Sequence, residues 1–403
     1  MIQMKQGFFA ALCVLIIMPL SVSAATTKNT PLEVSGWIPY WRSATGTADV
    51  LPHLDLMTEV NPFVYTVKAD GSLSDNAKMN KGVWPAFVAA AKAKKVRVVP
   101  SVMWSNGAAI DDMLCSAKKR LAHVNYITQM VKSNGFDGVD IDYEGKLAET
   151  KPCFSKFIKE LYSALGNKYL MCTIEARTPP DSLYEEIPAD LEYVNDFKVI
   201  NKYCDRVRLM TYDQESADIK LNASSSGPYS PVADPRWITK VVNLAAKDIS
   251  KKKLIIGVAT YGYEYSVTAY ADSYNYTMRW SFNPGYAWQV ANFYKVSPAR
   301  NEAGEMSFSY VPTPGVVIPN DATTTPLIQT TDKDQVAAAA TALAVANNSH
   351  TTFNLVWWSD AQAINDKIAL ARKLGVKGIA IFKLDGGEDQ NLWNVLKGVK
   401  TGK

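Results

Sequence analysis

The stretch FDGVDIDYEG, residues 136 to 145, sets Asp137, Asp140, Asp142 and Glu144 among Phe136, Val139, Ile141 and Tyr143. Its apolar residues read as a buried strand, and burial makes the charge of a carboxylate costly. Alternate residues of a strand share a face. Asp140, Asp142 and Glu144 therefore point one way, and Val139, Ile141 and Tyr143 the other. Same-face neighbours lie roughly 6.5 to 7 Å apart, a gap that longer side chains can close. Three carboxylates this close cannot all ionise in a poorly solvated site, and at least one keeps its proton near neutral pH. A proton-bearing carboxyl is what general-acid catalysis requires. A calcium loop beginning at Asp140 has Gly145 in place, but Lys151 stands where the last acidic ligand belongs. A solvated edge strand leaves the interleaved apolar residues unexplained.

Those acids need a scaffold, and the chain supplies a rhythm for one. Strand patterns begin at Val34 (VSGWIPY), Glu59 (EVNPFVYTV), Val96 (VRVVPSVMW) and Gly135 (GFDGVDID). Four more begin at Tyr169 (YLMCTIEA), Arg206 (RVRLMTY), Lys253 (KLIIGVATYG) and Val376 (VKGIAIFKL). Helical periodicity runs between them, clearest in VWPAFVAAAKAKK, CSAKKRLAHVNYITQMVKSNG, FSKFIKELYSALGNK, WITKVVNLAAKDIS and DAQAINDKIALARKLG. Eight strands with intervening helices predict an α/β fold, a (β/α)8 TIM barrel. A doubly wound open sheet is the rival, but no G-x-G-x-x-G or P-loop follows the first strand. In a barrel the acidic face lies toward the axis, with Glu144 at the C-terminal mouth where barrel enzymes hold their active sites.

One region breaks the rhythm. From about 264 to 354 the chain is rich in Tyr, Trp, Ser, Thr, Asn and Pro, as in YADSYNYTMRWSFNPGYAW. It reads as short strands and turns, with one helix in DKDQVAAAATALAVANN. The expectation is a small α+β insertion between the seventh strand and the last barrel helix. Trp280 and Trp288 would suit the wall of a sugar-binding cleft, or fill the insertion's own core.

Composition narrows the class. The 403 residues are 47% hydrophobic and 20% charged, enough for a full core. A formal charge of +4 predicts neither a nucleic-acid footprint nor an acidic tail. His53, His123 and His350 lie far apart, and no Cys/His cluster has zinc spacing, so no metal is expected. Lys5 followed by an apolar run from about Gly7 to Leu20 and small residues to Ala25 reads as a secretory signal peptide, 1–24. The run is short of the roughly 20 residues that a spanning helix needs. The protein is then secreted or periplasmic, 25–403 being one barrel domain with no integral membrane segment. Cys115, Cys153, Cys172 and Cys204 remain, and sequence cannot choose among their pairings or free thiols.

The acidic strand also carries a resemblance. DGVDIDYE matches the D-x-x-D-x-D-x-E signature of glycoside hydrolase family 18, the chitinase-like family. SGWIPYW resembles that family's first strand, LMTYDQ its sixth and LIIGVATYGYEY its seventh. The segment from Val356 to Trp393 is similar to the closing unit of the bacterial branch that includes spore-cortex-lytic N-acetylglucosaminidases. The likeness covers about residues 33 to 396. It implies hydrolysis of β-1,4 linkages in N-acetylglucosamine-containing glycans, chitin oligomers or peptidoglycan, by a monomer without cofactor. The substrate's acetamido oxygen would attack the anomeric carbon, an exception to the two-carboxylate scheme. Glu144 would be acid and then base, Asp142 would polarise the acetamido N–H, Asp140 would share its proton and charge, and Tyr212 would bond the acetamido carbonyl. The substrate contacts implied are Asp213, Met210, Trp37, Tyr40, Trp104 and Phe382.

Two departures stand out. Phe382 occupies the place where the family usually has a Trp beneath the distorted sugar, and SVMWSNG replaces a Gly-rich turn, so Trp104 is expected to line the cleft. At most one of Trp357 and Trp358 can face the site, because consecutive strand residues point oppositely. The alternative function is a carbohydrate-binding lectin that has lost catalysis; such relatives usually lack the terminal acid, and Glu144 is present. Chitin against peptidoglycan stays open.

Overall fold

A computed structural model of the chain describes residues 31–313 and 336–401. The expected signal peptide falls outside them. Eight parallel strands close a ring: Glu33–Pro39, Glu59–Val67, a divided third strand, Gly138–Tyr143, Tyr169–Glu175, Arg206–Met210, Leu254–Ala259 and Gly378–Phe382. The third is split into Arg97–Val98 and Ser101–Trp104, around Pro100, which has no amide hydrogen to give a ladder. Closure comes from the first strand, which pairs with the last on one side and the second on the other. This is the (β/α)8 TIM barrel.

Helices Trp84–Ala93, Ala117–Ser133, Lys151–Leu165, Pro235–Ala245 and Ala361–Leu374 form much of the outer layer where the periodicity put them. The apolar side of Lys151–Leu165 buries Phe154, Phe157, Ile158, Leu161 and Leu165. Ala361–Leu374 is capped by the Asp360 carboxylate, which accepts the Ala363 amide at 2.9 Å, and ends on Gly375 at φ 70°. Gly107–Cys115 and Phe197–Tyr203, too short for a clear periodic signal, are helices as well. Disulfides join Cys115 to Cys153 and Cys172 to Cys204. The first joins two outer helices, and the second ties the fifth strand to the end of the helix Phe197–Tyr203.

The insertion begins directly after the seventh strand. Its antiparallel sheet runs in the order Tyr274–Phe282, Gly262–Ala269, Thr351–Trp358, Met306–Tyr310, Ala299–Arg300, with helices Pro284–Tyr294 and Val336–Asn347. The structured excursion is thus slightly wider than 264–354. Trp280 and Trp288 pack inside it, against Tyr286 at 6.1 Å and Trp358 at 5.7 Å. Trp357 and Trp358 are 2% and 0% exposed, so neither faces a cleft. The lock to the barrel is Glu305. This buried carboxylate accepts from the Val232 and Ala233 amides, the Trp357 indole at 2.9 Å and the Lys367 ammonium at 2.6 Å.

The inside of the barrel is charged at its lower end. Arg97 and Arg206 pair with Glu33 there, Arg97 also with Glu59 at 3.0 Å, and buried Arg208 with Glu59. This ionic layer sits directly below the acids.

Candidate active site

The fourth strand is buried over all six residues, Gly138–Tyr143. Its alternation sends Val139, Ile141 and Tyr143 into the helical layer and Asp140 and Asp142 toward the axis. Glu144 is the first residue past the strand, its amide bonded to the Trp104 carbonyl at 2.8 Å. Asp137, out of step, accepts the Val98 amide at 2.8 Å and ties two strands together.

Asp140 is fully enclosed by donors. One oxygen accepts from the Trp37 indole at 3.0 Å and Ser101 at 2.7 Å. The other accepts from Thr173 at 2.8 Å and lies 2.8 Å from the Arg208 guanidinium. Its charge is therefore answered by a cation from the sixth strand. Asp140 is thus ion-paired beneath Asp142 and Glu144.

Asp142 has no such donors. It is 4% exposed, and its Oδ1 is buried without a hydrogen-bond partner among the described residues. Burial, and then the charges of Glu144, Asp140 and Glu175, raise its pKa well above the carboxylate range, against an opposing pull from Lys146. Glu144 is half-buried and its pKa is also raised, by burial first and then by Glu175 and Asp213, with Lys146 again opposing. Both shifts favour the protonated form of the carboxyl.

Glu175 and Lys146 are functional neighbours that the motif did not reveal. Glu175 ends the fifth strand and accepts the Gly145 amide at 3.0 Å and the Lys146 ammonium at 3.4 Å. The Lys146 side chain is completely buried, donates to the Tyr143 carbonyl and lies over the Phe154 ring. Alternation in YLMCTIEA and RVRLM was a signal for Glu175 and for Arg208, which it puts on the inward face of otherwise apolar strands; Lys146, in the turn after the fourth strand, carried none.

Tyr212 follows the sixth strand. Burial and the surrounding acids Asp142, Asp213, Glu144 and Asp140 push its phenol pKa well up, so it remains a hydrogen-bond donor. Its ring stacks on Phe382, with centroids 5.6 Å apart and planes 18° apart. Gly257 makes room for that ring: a Cβ there would come within 2.7 Å of Tyr212 and of the Leu209 carbonyl. Asp213 has φ 55°, a left-handed conformation that Asp tolerates, and accepts from Tyr261 at 2.6 Å and Tyr263 at 2.8 Å. Although the Asp213 side chain meets solvent, desolvation by the walls outweighs the two phenols and raises its pKa.

The remaining expected contacts divide. Met210 ends the sixth strand opposite Glu175 and is half-buried; Phe382 ends the eighth, also half-buried, between Tyr212 and Trp37. Tyr40 is 38% exposed on the turn after the first strand, beside Trp41 at 51%. Trp37, 1% exposed, lies within the barrel and holds Asp140, so it offers sugar no open face. Trp104 is not on the lumen side. It pairs in register with Tyr143 and packs against Tyr143 and His123, because strand alternation turns it outward. No group of three or more His, Cys, Asp or Glu side chains suited to a metal gathers among the described residues.

This arrangement gathers at the barrel mouth two carboxyls of raised pKa, one of them with a buried oxygen that lacks a hydrogen-bond partner among the described residues, and a phenol donor. It suits protonation of a leaving oxygen beside an amide-bearing substituent. Comparison with known proteins agrees. The family model Glycosyl hydrolases family 18 matches residues 36–387. "Uncharacterized glycosylase YvbX" of Bacillus subtilis (strain 168) is 26% identical over 290 residues, covering 71% of this chain and 67% of that protein. The Bacillus cereus spore cortex-lytic enzyme SleL superimposes with a TM-score of 0.65 at 17% identity, over 91% of this chain and 74% of that one. A class V chitinase from Pseudomonas fluorescens Pf-5 gives 0.68 at 18% identity, over 92% and 99%. With the family match spanning nearly the whole described barrel, this chain belongs to glycoside hydrolase family 18 and is a glycosidase.

Proposed function

We propose that the protein is a secreted retaining hydrolase of β-1,4 linkages on the reducing side of N-acetylglucosamine, acting through the substrate's own acetamido group. The observation that carries this reading is Asp142: a buried carboxyl beside the acid at the mouth, with one oxygen that has no hydrogen-bond partner among the described residues. That oxygen accepts the acetamido N–H. Tyr212 donates to the acetamido carbonyl and holds it under the anomeric carbon. Glu144 gives its proton to the glycosidic oxygen as that bond breaks, and the carbonyl oxygen closes an oxazolinium ring. Glu144, now a carboxylate, takes a proton from water, which opens the ring with retention. Asp140 and its donors fix the strand beneath Asp142, Asp213 orients the sugar, and Phe382 is the floor.

Export is supported by the apolar leader pattern and by two disulfides, which persist in oxidising compartments. No helix among the described residues is long and apolar enough to cross a membrane. The test is hydrolysis of short N-acetylglucosamine oligomers by the native chain and its Glu144→Gln form. Loss of a general acid predicts a fall of about 10² to 10⁴ in kcat. No hydrolysis in either form while the oligomers still bind would make the chain a lectin, and equal non-zero rates would remove Glu144 from the role of acid.

A further inference from the structure

A second feature lies beside the reacting groups. Trp41, Arg42, Tyr261, Asn283, Lys383 and Asp385 line a recess of about 180 Å³. It is continuous with the site. Tyr261 donates to Asp213 and meets the Phe382 ring at 6.1 Å, and Lys383 directly follows Phe382. Trp41 packs on Phe63 at 6.1 Å, which in turn meets Phe382 at 5.6 Å.

The guanidinium of Arg42 is the unexplained element. Its Nε and Nη2 are buried without a hydrogen-bond partner among the described residues. The nearest acid, Asp385, is 4.0 Å from Nε, too far for a hydrogen bond. Asp385 is already occupied: Lys383, Asn283 at 3.2 Å and the Gly387 amide at 3.0 Å all donate to it. Two cations thus face one carboxylate. Nε–H and an Nη–H together form the planar fork that grips a carboxylate with two parallel bonds. Beside that fork stands Trp41, 51% exposed, a ring of the kind that stacks on a pyranose face.

We propose that this recess is a subsite for an acidic sugar, a carboxylate-bearing residue flanking the reacting N-acetylglucosamine, gripped by the Arg42 fork with Trp41 against its ring. The substrate class is then an acidic amino-sugar glycan of the peptidoglycan type, not neutral chitin. This rests on the hydrolase reading and names its substrate. Lys383 keeps the recess cationic while Asp385 and Asn283 hold Lys383 in place. The lactyl ether of peptidoglycan and the uronic acid of other glycans share this chemistry, and the glycans compared in the test distinguish them.

The test compares three glycans: neutral N-acetylglucosamine oligomers, peptidoglycan strands stripped of peptides so that each lactyl ether ends in a free carboxylate, and strands alternating N-acetylglucosamine with a uronic acid. The native chain should show the highest kcat/KM on the stripped strands, and salt should erode that advantage. Arg42→Met should lower the ratio of stripped-strand to neutral-oligomer kcat/KM about tenfold, and Arg42→Lys should restore part of it. Dissociation constants measured on the Glu144→Gln form, with and without Arg42→Met, read the same preference without chemistry. An Arg42-dependent preference in binding supports the recess even if no hydrolysis occurs and the hydrolase reading fails. No preference for stripped strands, or an equal loss on neutral and acidic glycans, overturns it. A preference for the uronic-acid strands overturns the peptidoglycan assignment. Thermal melting of both variants separates misfolding from lost recognition.

Discussion

Along the acidic segment, each carboxyl has a different environment although successive ones are only two positions apart. Asp140 is paired with Arg208, Asp142 has one buried oxygen without a hydrogen-bond partner among the described residues, and Glu144 stands at the opening near Glu175, Lys146 and Asp213. The activity of an acid falls as pH rises through its pKa, so the charges around Glu144 set the basic limb of the pH–rate profile. Glu175 raises that pKa and Lys146 lowers it. Glu175→Gln should therefore move the basic limb to lower pH, and Lys146→Met to higher pH. Shifts in the same direction, read from kcat against pH, would contradict the opposed roles. Tyr212 has its own test. Gly257→Ala forces a Cβ into its ring, and kcat should drop about tenfold or more, toward the roughly 10² to 10³ expected when a transition-state donor is lost outright in Tyr212→Phe.

At the scale of elements, the insertion is joined to the barrel by one buried ion pair. Lys367, from the last barrel helix preceding the eighth strand, meets Glu305 of the insertion at 2.6 Å with both side chains essentially unexposed. Removing one partner leaves a buried charge, which costs about 3 to 5 kcal/mol. Lys367→Met should lower stability in denaturant titrations by that order, and adding Glu305→Gln should recover part of the loss. The Cys115–Cys153 bridge closes a sequence separation of 38 residues. Replacing both with Ser should cost about 2 to 4 kcal/mol. These links were not legible in the sequence for a physical reason: pairing among four cysteines depends on which elements approach in space, and Glu305 and Lys367 stand 62 positions apart along the chain.

For the molecule as a whole, His123 shows how packing converts an ordinary side chain into a pH-dependent term. It bonds the Gly71 carbonyl through Nδ1 at 2.6 Å and the Tyr143 hydroxyl through Nε2, and stacks near Phe157. Burial brings its pKa down to about 4 from 6.5. The unfolded chain binds the proton more tightly between those values, so stability present above pH 6.5 is lost as pH falls toward 4, by about 3 kcal/mol at most. His123→Phe should lower the melting temperature at pH 7 but make its decline between pH 6.5 and 4.5 shallower. An unchanged slope would remove His123 from that account.

The pattern of residues alone settled the eight-strand rhythm, the break after the seventh strand and the inward face of the acids, because periods of two and 3.6 are local properties of a chain. It also marked Glu144, the acid one step past the strand, as the residue at the mouth. Only closure of the barrel decided what surrounds each acid. It brought Arg208 to Asp140 across 68 positions and Glu175 beside Glu144, and charge interactions depend on distance through space rather than along the chain. The same closure separated Trp37 from Trp104, turning one inward to hold Asp140 and the other outward to His123. Local alternation names the two faces of a strand; the neighbours each face meets come from elements far away in sequence.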